Sequence, residues 1–277
     1  MANSTDTSTS HTYVFYHYDP SMGAAVLFVI LFFATTHLHV FQTIRRKTWY
    51  LIPFIVGGYF EWIGYIGRGM SSKDPQDMSP YIMQTILLLI APALFAASIY
   101  MILGRIILLV NGEKYSLIRK KLLTKVFVCG DVVSFLLQAG GGGMMAGGDA
   151  DKVTLGKNVV IIGLFVQISF FGFFIVVSIV FHRRVNYHMP SLAVPWIKHM
   201  RALYAVSGLI MVRSLFRVIE YLMGNDGVLM QHEIFVYLFD GLLMFIAMVL
   251  FNVVHPAEIT ELRECGRELI MEESALV

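Results

Sequence analysis

Charged side chains are scarce. Asp, Glu, Lys and Arg make up 14% of the 277 residues, against about 25% in an ordinary soluble domain. So few charges cannot coat a water-facing surface, and no polar stretch is long enough to build a soluble domain beside the apolar one. Cysteine is nearly absent too. Cys129 lies inside an apolar run and Cys265 in the C-terminal tail. They are far apart, with no second Cys or His at zinc-like spacing, which argues against a disulfide framework and against a metal site. The net charge of +2 and the lack of a basic tract interleaved with aromatics argue against nucleic acid as a partner. No basic residue precedes the first apolar run in MANSTDTSTSHTY. A cleaved signal peptide would carry one, so the first span is expected to do the targeting.

Apolar residues are abundant, at 57% of the chain with a mean hydropathy of +0.68. Seven predominantly apolar runs fall at about 21–41, 50–67, 82–108, 122–146, 158–181, 202–224 and 233–254, each near the twenty residues that cross a bilayer as a helix. The fold expected is an all-α integral membrane protein with seven transmembrane helices. Loop lysines and arginines orient it. Arg45, Arg46, Lys47, Lys114, Arg119, Lys120, Lys121, Lys125, Arg183, Arg184, Lys198, Arg201, Arg263 and Arg267 gather on one side, against Arg68, Lys73, Lys152 and Lys157 on the other. The first group belongs in the cytosol, which puts the N-terminus outside and the C-terminus inside. Residues 1–18 then form an extracellular tail, 19–256 the membrane domain and 257–277 an acidic cytosolic tail that reads as a short surface helix or a frayed end. The sequon at Asn3 agrees with that orientation as a glycosylation site.

The informative residues are the charges inside the spans, each costing at least about 2.5–3.5 kcal/mol unless it faces a partner or a wet cavity. In VRSLFRVIEYLMG (212–224), Arg213, Arg217 and Glu220 follow i, i+4, i+7 and share one helical face. In GGYFEWIGYIGR (57–68), Glu61 and Arg68 share a face with Gly57 and Gly64, which permits close helix approach. Span four carries Asp131, Ser134 and Gln138 on one stripe; span five adds Gln167, and span seven Tyr237 and Asp240. Arg105 closes span three, where Pro92 predicts a kink. Gly140 and Gly141 open a glycine run that reads as a hinge or gate, and His255 reads as a capping or interfacial residue.

By span direction, Glu61, Arg217, Glu220 and Asp240 fall in the outer half of the bilayer, Arg213 and Asp131 near its middle, and Arg105 toward the cytosol. Two readings stand side by side: a structural network of ion pairs, or a polar cavity open to the outer leaflet that holds a ligand headgroup. Catalysis has little to rest on, since the spans contain no H-x-x-x-H pair and no G-x-S-x-G motif. No phosphate-binding loop occurs, and no cofactor is expected. A seven-helix receptor or lipid sensor acting through a cytosolic partner is the alternative. Span three closes on LGRII rather than a D-R-Y-like ending, and span seven, which has no lysine, on NVVHP rather than N-P-x-x-Y.

GYFEWIGYIGR (58–68), LLLIAPALFAASIYMILGRII (87–107), CGDVVSFLLQAGGGGM (129–144), VRSLFRVIEYLMG (212–224) and YLFDGLLM with NVVHP (237–256) together resemble the fungal RTA-like, or lipid-translocating exporter, family over about residues 18–258. The resemblance implies a seven-helix membrane protein, with a lean toward the plasma membrane. It also implies links to release of sphingoid long-chain bases and to resistance toward amphiphilic toxins, or to porphyrin or haem handling. On the motif positions it marks Glu61, Arg68, Arg105, Asp131, Gln138, Gln167, Arg213, Arg217, Glu220, Asp240 and His255. Membrane lipids or amphiphilic small molecules are the partners it suggests. The expected function is export of such amphiphiles, with Glu61, Glu220 or Asp240 as counter-ion to a cationic headgroup.

Overall fold

A computed structural model describes residues 20–74, 76–145, 150–189, 195–223 and 232–265; Asn3 and Arg267 lie outside them. Long apolar runs without interior helix breakers other than Pro92 form helices throughout, and no strand occurs among the described residues. The helices are α1 (Met22–Arg46), α2 (Ile52–Ser71), α3 (Met78–Leu109), α4 (Lys120–Met145), α5 (Ala150–His188) and α6 (Trp196–Met223). A seventh, α7, runs as Glu233–Val236, a π turn at Tyr237–Leu242, and Leu243–Val253. Short 3₁₀ turns at Trp49–Leu51 and Glu113–Tyr115 lead into α2 and follow α3.

The ends follow local chemistry. The Ser21 hydroxyl accepts from Ala24 N to start α1, and the Asp77 side chain accepts from Ser79 N to start α3. Lys47 at φ 52° closes α1 in the left-handed C-terminal manner. Observed helices overrun the expected spans. At 1.5 Å per residue, the 39 residues of α5 extend about 58 Å, well beyond the hydrocarbon layer.

Among the described residues, six helices are long and apolar enough to cross a membrane. The exception is α2, whose glycines, Glu61 and Arg68 lower its hydropathy, yet it is packed on both sides by α1 and α3. Sequential neighbours α1–α2, α2–α3 and α4–α5 make the tightest pairs, α6 lies against α3, α5 and α7, and α7 touches α1. The outward faces of the bundle are apolar: Ile30, Phe41, Leu136, Ile162, Val176 and Leu222 are all exposed. An apolar belt of that extent suits lipid rather than water, and the chain is a multi-pass integral membrane protein.

Helices α4 and α5 meet backbone to backbone. A Cβ on Gly141 would stand 2.6 Å from the Gly156 carbonyl oxygen, and one on Gly163 3.0 Å from that of Ser134. Glycines 140–143 continue the α4 helix, so the positive-φ freedom that suggested a hinge is not used there. Gly141 serves close approach instead, whereas a Cβ on Gly140 meets nothing within 4 Å. Cys129 and Cys265 are free.

Residues 257–265 form a further helical stretch against the bundle end. His255 Nδ1 accepts from Ala257 N, Lys198 pairs with Glu258 at 2.9 Å, and Ile259 is buried. The first part of the acidic tail is thus a helix docked on the bundle, with the His255 side chain at its start.

Gly141→Ala is expected to destabilise the protein by about 1–3 kcal/mol through overpacking. Gly140→Ala is expected to stabilise it by up to about 1 kcal/mol through helix propensity. Thermal unfolding of the two variants in detergent reads the contrast.

Candidate functional site

The shared face of α6 is real, and it points at α7. Arg213 forms an ion pair with Asp240, and Arg217 reaches the other oxygen of the same carboxylate while donating to Glu220 Oε2 at 3.0 Å. Arg213, Glu220 and Asp240 are each at most 5% exposed. One carboxylate held between two guanidiniums is a geometry only arginine supplies, since its planar fork presents several donors at once.

A further donor of Arg213 finds an unusual acceptor. Its Nη2 donates to the backbone carbonyl of Leu88 at 2.6 Å. In an unbroken helix that carbonyl would accept from the amide of residue 92, but residue 92 is proline and has no N–H. Pro92 lies inside α3 and is buried. Its consequence is a free carbonyl in the bundle interior, and Arg213 occupies it.

Glu61 of α2 is 2% exposed and lies within electrostatic reach of Asp240, Arg213 and Arg217. Its Oε1 has no hydrogen-bond partner. Gly58, one turn away on α2, stands against Thr36 of α1 and Met248 of α7, and Gly64 against Leu88 of α3. These contacts hold α2 close enough to bring Glu61 to the cluster. Three carboxylates thus meet two guanidiniums.

A second group gathers nearer the C-terminal end of α2. Arg68, 1% exposed, donates through Nε to Tyr237 Oη and through Nη2 to Glu233 Oε1, both at 2.9 Å, and stands over the Tyr237 ring at 4.8 Å. Glu233 also accepts from Ser21 N at the start of α1, tying three helices together. Glu233 was not among the residues marked by the sequence. Its signal was an acid in the first turn of the seventh span, opposite the basic end of the second. Between the two groups, Tyr65 stacks on Phe28 and Phe32, its hydroxyl facing Gly241 of the π turn and unpartnered.

The other marked residues stand apart from this pair of groups. Tyr100 of α3 donates to Asp131 Oδ2 at 3.0 Å. Ser134 donates to the Gly163 carbonyl, and Gln138 donates to Ser134 at 2.6 Å and to Gln167 at 3.1 Å. This stripe joins α4 to α3 and α5. Gln138 also lines an apolar cleft of about 150 Å³ with Tyr81, Ile86, Gly142 and Tyr221. Arg105 sits at the opposite end of the bundle, 3.6 Å over the Tyr50 ring and 3.5 Å from Thr260. Of the three acids offered as counter-ions, Glu220 and Asp240 are paired with arginine, whereas Glu61 Oε1 is buried without a hydrogen-bond partner.

The fold and these buried ion pairs define a multi-pass α-helical membrane protein with a charged interior. The family described as RTA1 like protein matches residues 54–263, and the chain belongs to it. Protoporphyrin uptake protein 1 of Saccharomyces cerevisiae is 37% identical over an alignment covering 89% of this chain and 93% of that protein. Protein RTA1 of the same yeast is 37% identical, covering 87% of this chain and 84% of that one. The yeast sphingoid long-chain base transporter RSB1 is 28% identical, covering 86% and 72%. No solved structure matches.

Asp240→Asn removes the anion common to both arginines and is expected to cost about 3–5 kcal/mol of stability, the penalty of leaving buried charge uncompensated. Its unfolding midpoint in detergent, against that of the unaltered chain, measures this.

Proposed function

We propose that this chain is a membrane transporter of amphiphiles, and that it moves lipids with a cationic head and a single apolar chain, such as sphingoid long-chain bases, toward the outer leaflet. The observation that carries this reading is Glu61, a buried carboxylate with an unpartnered oxygen beside a cluster of two further acids and two arginines. A desolvated ammonium supplies both the missing donors and the missing positive charge.

The reading includes seven spans, an external N-terminus, a cytosolic C-terminus and residence in the plasma membrane. Arg68, Tyr237 and the α6 residues line the polar path, with Gln138, Asp131 and Gln167 along a second seam. Glu61 is nearly sealed in the closed bundle, so loading requires α2 to part from its neighbours. Only the head needs the interior, because the chain can remain in lipid.

The name of RSB1 supports a sphingoid base as cargo, and that of protoporphyrin uptake protein 1 supports a larger amphiphile. The charge balance around Glu61 weighs toward a cation: Arg213 and Arg217 are already held by acids, so the anionic groups of a porphyrin would meet no free guanidinium there.

The test is movement of labelled sphingoid base across vesicles containing the purified chain. Glu61→Gln, which keeps the shape and removes the excess charge, is expected to leave the unfolding midpoint unchanged or raised. It is expected to slow movement about tenfold or more, the worth of one charge-assisted hydrogen bond. Binding of the base without movement would replace the transporter reading with that of a receptor, and unimpaired movement in the variant would remove Glu61 from the path.

A further inference from the structure

Toward the C-terminal end of α5 and the N-terminal half of α6, the two helices border an open groove of about 540 Å³. It lies toward the end of the bundle where basic residues gather, its α6 lining stopping about 7.5 Å along the helix before Arg213. Its lining is graded. Ile175 and Ile179 form the part nearer the middle of α5, and His182, Arg183 and Asn186 the part nearer its end. These positions, at i, i+4, i+7, i+8 and i+11, share one helical face. The lining from α6 is Tyr204, Ser207 and Gly208.

Three details mark this as a shaped site rather than a chance gap. Ser207 is 1% exposed, yet its hydroxyl has no partner. Gly208 is exposed and a Cβ there would meet nothing within 4 Å, so the glycine keeps the mouth of the groove open. The Tyr204 hydroxyl donates to the Ser178 carbonyl at 3.1 Å and lies 3.2 Å from His182 Nδ1. With the tyrosine proton so used, Nδ1 is the donor and Nε2 is left as an acceptor. Arg183 is exposed, no carboxylate pairs with it among the described residues, and Arg201 lies within electrostatic reach of His182.

We infer that this groove binds an acidic phospholipid. The phosphate sits at Arg183, headgroup hydroxyls meet His182 Nε2 and Asn186, and one acyl chain lies over Ile175 and Ile179. The apolar-to-polar gradient along α5 matches such a molecule end for end, and its charge complements the one arginine in the lining. Basic pockets between membrane helices at the positively charged side favour these headgroups. This inference does not depend on the transport reading.

Trp196 supplies the probe, since its ring stands 5.2 Å from that of His182. In the full chain carrying Trp49→Phe and Trp62→Phe, it is the remaining tryptophan. Reconstituted in zwitterionic vesicles, its fluorescence is titrated with brominated phosphatidylglycerol or brominated phosphatidylcholine. Half-quenching is expected at about fivefold lower mole fraction of the anionic lipid. Arg183→Gln should abolish that preference, Gly208→Phe should weaken quenching by both lipids, and soluble glycerol phosphate should not compete. Equal quenching by the two lipids overturns the inference, as does a preference that survives both substitutions. Competition by glycerol phosphate alone would make it a free-phosphate site and overturn it equally. The chain with its native tryptophans gives an independent check: acidic phospholipid co-purifying with it should fall in Gly208→Phe, and an unchanged amount rejects the site.

Discussion

Everything around the interior charges depends on the Asp240 carboxylate lying between two guanidiniums. In hydrocarbon none of these charges is tolerable alone, and with Glu220 bound to Arg217 two acids balance two arginines. The pairing fixes α6 against α7 at one register, because sliding either helix by a turn would separate the charges by about 5.4 Å. Arg213 extends the constraint to α3 through the Leu88 carbonyl. Glu61 brings α2 to the same point, held there by glycines that let its neighbours approach.

The role of Pro92 shows how far local sequence reasoning reaches. A proline inside an apolar run announces a kink and a missing amide, and both follow from its ring. That the orphaned carbonyl would be taken by an arginine 125 residues away is a fact of tertiary packing. The i, i+4, i+7 spacing of Arg213, Arg217 and Glu220 likewise announced a common face, and the bond from Arg217 to Glu220 bears that out. Helix existence was legible throughout, since apolar runs near twenty residues have few other fates.

What remained hidden has physical causes. The π turn at Tyr237–Leu242 inserts a residue and shifts the phase of every side chain beyond it by about 100°. No composition rule in YLFDGL foretells it, yet it contains both Tyr237 and Asp240. The division of the polar residues was hidden too. Asp131, Ser134 and Gln138 share a stripe as expected, but the stripe faces Tyr100 and α5 and stays apart from Asp240. Helical periodicity says which residues look the same way, and it is silent on which neighbour they look at. Glu233 escaped for the converse reason: at a span boundary an acid reads as an ordinary interfacial residue, and only its contact with Arg68 and the start of α1 distinguishes it.

The contact of Gly141 with Gly156 bears on how such a bundle can deform. Backbones that touch without intervening side chains have nothing to re-rotamerise, so neither helix can roll or slide on the other without collision. With Gly163 seated on Ser134 further along the same seam, α4 and α5 behave as one stiff plank. Breathing of the bundle is thereby channelled into the joints flanking that plank, where α4 and α5 meet α3 and α6.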